Sequence, residues 1–294
     1  MKSSIILISN PAAKGASERK VQGAYRLLKS KGYAVEILST KHRGEAENLA
    51  REAVKRLPFL IIAAGGDGTF SEVINGMVNS DIPLAILPMG TTNVLAKEIG
   101  IPENVEGAIE IAARGTPRTV SLGKIIMGYP SSRIARYFVL MAGIGYDGES
   151  VYRINENIKK ISGKGAYILS GIKTLLRFQP EPLTCHINER TYTAYSLIVG
   201  KAAKYGGNFK ITPDAKLSEP TLYACLFKGN RRLDILRYVF GIARQRHISF
   251  KDVEYQEAES IQIKGKAHVQ IDGDYLGMTP ASMEVEPNSL RLIY

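Results

Sequence analysis

The segment Ala64-Gly65-Gly66-Asp67-Gly68-Thr69 concentrates residue types that can hold a phosphate. It follows an apolar run, Phe59 to Ala63, and precedes a pattern in which Phe70, Val73, Ile74, Met77 and Val78 share one helical face. Glycines between a strand and a helix N-terminus let the backbone approach an anion. The amide N–H groups point at it, and the helix dipole favours negative charge. Asp67 is out of place in a pure anion cradle and points to a metal ion or a transferable proton at the same spot. A tight structural turn is the competing explanation, but such turns seldom need three glycines around a carboxylate.

The elements that must position this turn alternate between strand and helix from the N-terminus to about residue 120. Ile5–Ile8, Tyr33–Leu38, Phe59–Ala63 and Pro83–Leu87 read as strands. Between them, Val21, Ala24, Tyr25 and Leu28 give one helical face, and Ala46, Leu49, Ala50, Ala53 and Val54 give another. A short helix ends at Gly100, and a further one through Val105, Ala108, Ile109 and Ala112 ends at Gly115. Strands this apolar, separated by helices, predict a parallel sheet covered on both faces. Ligands bind such sheets beyond the carboxyl ends of the strands. Asn10, Thr40, Gly65–Thr69 and Gly90–Asn93 all fall there.

Beyond residue 120 most segments alternate with period two, as in Ile261 and Ile263, Val269 and Ile271, and Met283 and Val285. Lys264-Gly265, Asp272-Gly273 and Pro287-Asn288 mark turns between them, which predicts an antiparallel, β-rich domain. The expected division is an α/β domain over 1–122 and a β-rich sandwich domain over 123–294. Two helical stretches interrupt the second domain. Ile168, Ile172, Leu175 and Leu176 share a face near 164–178, and Leu233, Leu236, Val239, Phe240 and Ala243 share one near 232–246. Lys159, Lys160, Lys164, Lys173 and Arg177 flank the first, and Arg231, Arg232, Arg237, Arg244 and Arg246 the second. Each helix reads either as core-facing with solvated charges or as lying on an anionic membrane surface.

The chain has 294 residues and a net charge of +11, from 39 basic and 28 acidic residues, which favours an anionic partner. Cys185 and Cys225 have neither metal-ligand nor disulfide-framework spacing, so they read as buried thiols of a reducing compartment. No apolar run reaches the ~18 residues of a membrane span, so membrane contact is expected to be peripheral. No aromatic-basic motif for nucleic acid is present. His42, His186, His247 and His268 have no partner at catalytic or ligand spacing.

Further motifs join the glycine turn in order. They are Asn10-Pro11-Ala12-Ala13, Thr40, Leu87-Pro88-Met89-Gly90-Thr91-Thr92-Asn93, Ala142-Gly143-Ile144-Gly145-Tyr146-Asp147, Pro213-Asp214-Ala215 and Asp272-Gly273-Asp274. Through this series, which spans nearly the whole chain, the sequence resembles the diacylglycerol kinase catalytic-domain family in its soluble bacterial lipid kinase branch. NAD kinases and phosphofructokinases share a similar glycine-aspartate turn; the series as a whole is the specific signal. The resemblance implies a fold of the NAD kinase and diacylglycerol kinase type and ATP-dependent phosphorylation of a lipid hydroxyl, with ATP in a cleft between the two domains. It also implies a role in phospholipid biosynthesis, at the cytoplasmic face of a membrane. Gly65, Gly66 and Gly68 would wrap the phosphates, Thr69 would donate a hydroxyl to a phosphate oxygen, and Asp67 would hold Mg²⁺. Asn10 and Thr40 would sit beside the nucleotide, with Gly90 and Thr91 forming a second close-approach turn. Asn93 is placed to cap the helix that follows.

In the family a carboxylate of a late Asp-Gly-Glu motif is assigned as the base. Here Asp272 matches and Asp274 replaces the Glu, one methylene shorter; both remain candidates. Asp-Gly is also a favoured hairpin turn. Asp147 is a candidate for the polar head of the acceptor. Relatives often carry Asp-Asp-Gly after Pro-Asp-Ala, linked to a structural Mg²⁺. Here Ser218-Glu219-Pro220 stands in its place, which leaves Glu219 as the one candidate carboxylate ligand and a structural site expected to be weak or absent. Lys14 is a further basic residue within reach of a phosphate. The rival readings are a kinase of the same turn with NAD as acceptor, and a catalytically silent nucleotide- or lipid-binding regulator. The oligomeric state stays open, with a homodimer among the candidates.

Overall fold

A computed structural model describes residues 3–11, 16–128, 133–157 and 179–294 of the chain. They divide into two compact units, one of Met1–Leu122 with Pro287–Tyr294, the other of Gly123–Glu286. Lys14 and the helical pattern near 164–178 with its basic flanks lie outside the described residues. Among the described residues no helix is long and apolar enough to cross a membrane.

In the first unit the strands β1 (Ser4–Ser9), β2 (Ala34–Ser39), β3 (Leu60–Gly65) and β4 (Leu84–Pro88) form a parallel sheet in the order β2–β1–β3–β4. Every residue of β3 and β4 is buried, as befits strands with helices on both faces. The helices are α1 (Ala16–Ser30), α2 (Glu45–Lys55), α3 (Asp67–Met77), α4 (Val94–Ile99) and α5 (Val105–Arg114). Two residues of helix α3 fix its contact with α2. The Glu72 carboxylate accepts from the N–H groups of Gly44 and Ala46 at 2.8 and 3.1 Å, capping the start of α2. Gly76 lets the helices meet, because a Cβ there would lie 2.3 Å from the Glu47 carbonyl oxygen. The far end of β18 (Ala281–Ile293) adds to this sheet, Leu292 lying parallel and opposite Leu84.

The second unit is antiparallel. One sheet takes the order β14–β13–β10–β7–β16–β17, from Val253–Ala258, Leu222–Phe227, Ser196–Gly200, Met141–Ile144, His268–Ile271 and Asp274–Met278. Opposing it are β8 (Leu183–Ile187), β9 (Arg190–Ala194), β15 (Ser260–Lys264), the pair β5 (Pro117–Met127) and β6 (Ile134–Phe138), and the start of β18. Ile125, Phe138, Leu197, Leu226, Ile261, Val269 and Met283 belong to one core contributed by both layers. This is the sandwich that the period-two alternation predicts. Three further elements carry the site and the surface discussed below: α6 (Tyr146–Asn157), the hairpin β11 (Lys204–Tyr205) to β12 (Phe209–Lys210), and α7 (Arg232–Ala243).

Candidate active site

The glycine turn sits at the carboxyl end of β3, and α3 begins at Asp67 immediately after it. Gly65 and Gly66 of the turn each answer to a neighbour. A Cβ at Gly65 would lie 2.5 Å from the Thr69 hydroxyl, so Gly65 is what allows Thr69 to fold back over the strand end. A Cβ at Gly66 would lie 3.2 Å from Gly90 Cα, and one at Gly90 only 2.7 Å from Gly66 Cα. The two glycine turns, after β3 and after β4, therefore touch backbone to backbone. Asn10 joins them from the end of β1, its Nδ2 donating to Thr69 Oγ1 at 3.3 Å. Thr40 is buried at the end of β2, its N–H donating to the Ser9 carbonyl at 2.9 Å. Thr91 is exposed beside Gly90. The strand-end residues singled out in the sequence thus line one edge of this sheet.

Two side chains in this region behave differently from expectation. Asn93 stands at the N-cap of α4 but makes no capping bond. Its backbone is left-handed (φ 48°), and its amide closes the second turn instead, accepting from Gly90 N–H and donating to Gly90 C=O at 2.9 Å each. The first turn of α4 is served by Asp67, whose Oδ1 accepts from Leu95 N–H at 3.1 Å. Asp67 therefore ties the first glycine turn to the helix that follows the second. That bond occupies one oxygen of the carboxylate, and Oδ2 remains suited in chemistry to a hard divalent cation.

In the second unit the structure separates Asp272 from Asp274. Asp272 has φ 48°, and its own N–H donates to the Met141 carbonyl at 2.9 Å. Its Oδ2 accepts from Val139 N–H at 2.9 Å; its Oδ1 accepts from Leu140 and Met141 N–H at 2.9 and 3.0 Å. A carboxylate holding three backbone donors is committed to the backbone of Val139–Met141 and has little lone-pair capacity left for a substrate proton. Asp274 opens β17 just beyond Gly273.

Asp147, in the first turn of α6, lies in a chain of side-chain bonds. Tyr205 donates its hydroxyl to Oδ1, and Gln270 Nε2 donates to Oδ2 at 2.6 Å. Burial pushes the Asp147 carboxyl above the usual carboxylate range, and the two donors oppose that shift. Gln270 is itself buried, and its Oε1 accepts from Gly273 N–H at 2.8 Å. One amide thus links Asp147 to the turn that carries Asp272 and Asp274. Neither Tyr205 nor Gln270 stands out by motif. Their only marks are a polar residue between Val269 and Ile271 in an apolar strand, and a tyrosine before Gly206-Gly207.

At the place of the family's structural Mg²⁺, expected to be weak or absent here, the side chains are engaged with one another. Glu219 Oε1 is paired with Lys216 Nζ at 2.7 Å on the surface. The carbonyl of Lys216 accepts from the ammonium of Lys201, a lysine with no exposed surface. Desolvation lowers the Lys201 pKa to about 8, with the nearby Glu219 charge opposing the shift. Among the described residues no group of three His, Cys, Asp or Glu side chains could hold a metal ion. Lys201 supplies positive charge where Glu219 was the candidate ligand for a cation. Cys185 and Cys225 are free and buried, their pKa values pushed up to about 12 by desolvation, which leaves them protonated and unreactive.

Residues 4–125 match the model of the diacylglycerol kinase catalytic domain, and residues 141–294 match that of the YegS C-terminal NAD kinase beta sandwich-like domain. Diacylglycerol kinase of Bacillus subtilis strain 168 is 27% identical over 287 residues, covering 95% of this chain and 92% of the relative. Diacylglycerol kinase of Staphylococcus haemolyticus is 29% identical over 284 residues, covering 94% and 83%. In fold, the chain is similar to a diacylglycerol kinase of Bacillus anthracis strain Sterne, at a TM-score of 0.68 and 23% identity over 99% of this chain and 97% of the other. It is also similar to yeast NADH kinase, at a TM-score of 0.59 and 10% identity over 100% and 84%.

Proposed function

The chain belongs to the diacylglycerol kinase catalytic domain family, and we propose from that premise that it transfers the γ-phosphoryl of ATP to a hydroxyl of diacylglycerol or a closely related lipid. The observation that carries this reading is the contact between the two glycine turns at the ends of β3 and β4. It provides backbone N–H groups and a helix N-terminus for a polyphosphate, with Asp67 beside them.

The steps follow from the residues. Gly65, Gly66, Gly68, Gly90, Thr69, Thr91, Asn10 and Thr40 bind the nucleotide at the strand ends. Asp67 would hold Mg²⁺, which would supply positive charge beside the phosphates. In the second unit Asp147, held by Tyr205 and Gln270, receives the polar head of the lipid. The acceptor hydroxyl oxygen attacks the γ-phosphorus, and the bond from that phosphorus to the β,γ-bridging oxygen breaks. The hydroxyl proton passes to Asp274, giving a phosphorylated lipid and ADP. Asp272 is the positioning carboxylate of the pair, because its oxygens are taken by Val139, Leu140 and Met141. Glu219 is assigned no ligand role. An acceptor that resides in a bilayer places the working enzyme peripherally on the cytoplasmic membrane face, in phospholipid metabolism.

The test is turnover of ATP and Mg²⁺ on vesicles containing diacylglycerol, with NAD as the alternative acceptor. Phosphatidic acid should form and NADP should not. Asp67→Ala should lower kcat/KM about 10²–10³-fold. Product from NAD alone, ATP binding without any product, or full lipid turnover by Asp67→Ala would each overturn the assignment.

A further inference from the structure

We propose that the outward face of α7, with Phe209 beside it, is a docking surface for an anionic lipid leaflet and delivers the acceptor lipid to the Asp147 side of the second unit; this rests on the lipid kinase reading above. Helix α7 is mounted with its aliphatic stripe facing solvent. Leu233, Leu236, Val239 and Phe240 are 75, 39, 50 and 62% exposed, and they recur at the spacing of one helical face. The attached side of the helix is held by aromatic and polar groups. The Tyr238 ring packs against Phe227 at 4.8 Å, and its hydroxyl accepts from Gly229 N–H at 2.8 Å and donates to the Asp252 carboxylate. Gly241 allows a close approach, because a Cβ there would lie 2.6 Å from the Phe250 ring. The apolar stripe is therefore fixed in its exposed position, and an exposed stripe of this kind marks an interaction surface.

Charge selects the occupant. Arg232, Arg244 and Arg246 are exposed around the stripe and form no ion pair with any described residue. The acids nearest in the chain, Asp234 and Asp252, are both paired with Arg237. An apolar stripe rimmed by arginines with their neighbouring acids already paired suits acyl chains below anionic headgroups. The surface is also continuous with the acceptor site. Helix α7 packs against β12, where Phe209 is 48% exposed. Phe209 pairs directly with Tyr205, whose hydroxyl donates to Asp147. One short hairpin therefore runs from the docking face to the carboxylate assigned to the lipid head.

The experiment is co-sedimentation with phosphatidylcholine vesicles and with vesicles about one third phosphatidylglycerol, using the full chain. The parent should prefer the anionic vesicles and be released by salt. Leu236→Ser/Phe240→Ser should weaken binding to the anionic vesicles at least about tenfold. Arg232→Gln/Arg244→Gln/Arg246→Gln should remove the anionic preference, on the order of a hundredfold, while leaving phosphatidylcholine binding as it was. Both variants should phosphorylate a dispersed short-chain diacylglycerol like the parent and a vesicle-borne long-chain one more slowly. These side chains are exposed, so urea midpoints should match the parent and show that folding is intact. Unchanged sedimentation of both variants overturns the docking surface. So does a parent dimer that the Leu236→Ser/Phe240→Ser variant converts to monomer, since the face would then belong to a second copy. If no acceptor gives product with any form, the kinase reading fails by itself, and vesicle sedimentation still decides the docking surface.

Discussion

The proposed phosphate side and the proposed acceptor side of this molecule are built by opposite means. In the first unit the site is backbone: glycines at two strand ends touch, and side chains such as Asn93 and Asp67 serve to hold the turns. In the second unit the site is side chain: Tyr205, Asp147, Gln270 and the Asp272 turn form one hydrogen-bonded series. Backbone can cradle a polyphosphate that is the same in every ATP. A lipid acceptor differs between enzymes, and a site of side chains can change with it without rebuilding the sheet. The two Asp residues on either side of Gly273 carry the same proposed division at small scale: Asp272 is given to the backbone, and Asp274 is the proposed base.

The sharpest way to break that division is to exchange the two carboxylates for amides. Asp274→Asn should lower kcat about 10²–10⁴-fold with an unchanged urea midpoint. Asp272→Asn should show the reverse balance, losing roughly 2–4 kcal/mol of stability as an NH₂ group meets backbone donors. Equal losses of kcat at unchanged stability in both variants would merge the roles. On the phosphate side, Gly90→Ala places a Cβ 2.7 Å from Gly66 Cα and 2.8 Å from Asn93 Oδ1. Parting the turns should raise KM for ATP and lower kcat/KM by about a hundredfold, with KM for the lipid unmoved. An equal rise in both KM values would show that the two sides are not separable.

The smallest effect concerns Lys201, which is side chain serving structure. Its folded pKa of about 8 lies below the ordinary 10.5. Below pH 8 both states hold the proton, and between 8 and 10.5 the unfolded chain alone does, so stability rises with pH. Cys185 and Cys225 act in the other direction from about pH 9, where the unfolded thiols ionise and the folded ones do not. Between pH 8 and 9 Lys201 should therefore contribute a gain of about 1 kcal/mol, read as the difference in urea denaturation between the parent and a variant without the ammonium. Lys201→Met should remove that gain, and an identical slope in parent and variant would refute the linkage.

The difference between the sides also explains what could be read in advance. The glycine turn, its strand and its helix are contiguous, and apolar strands buried on both faces announce a parallel sheet. Asn10, Thr40 and Gly90 were legible because each follows a strand of that sheet. The acceptor network joins residues 123 apart at Asp147 and Gln270, and 133 apart at Val139 and Asp272. No local pattern carries those pairings, so Gln270, Tyr205 and the division of labour between Asp272 and Asp274 appear only in three dimensions. The five residues of the α7 face were correctly grouped by periodicity. Periodicity does not say which way a face points, and here Tyr238 and Gly241 turn it outward.

The last strand has a consequence for how the protein is made. Leu292 of β18 pairs with Leu84 of β4, yet all of Gly123–Glu286 is synthesised between the first part of this unit and the residues that complete it. At about 5–20 residues per second the ribosome takes on the order of ten to thirty seconds to bridge that interval. Throughout it the nascent β4, apolar along its whole length, lacks its last partner and presents an open edge. The glycine turns at the ends of β3 and β4 are thus encoded early and finished late. A chaperone that shields strand edges has its natural window of action on this chain during that wait.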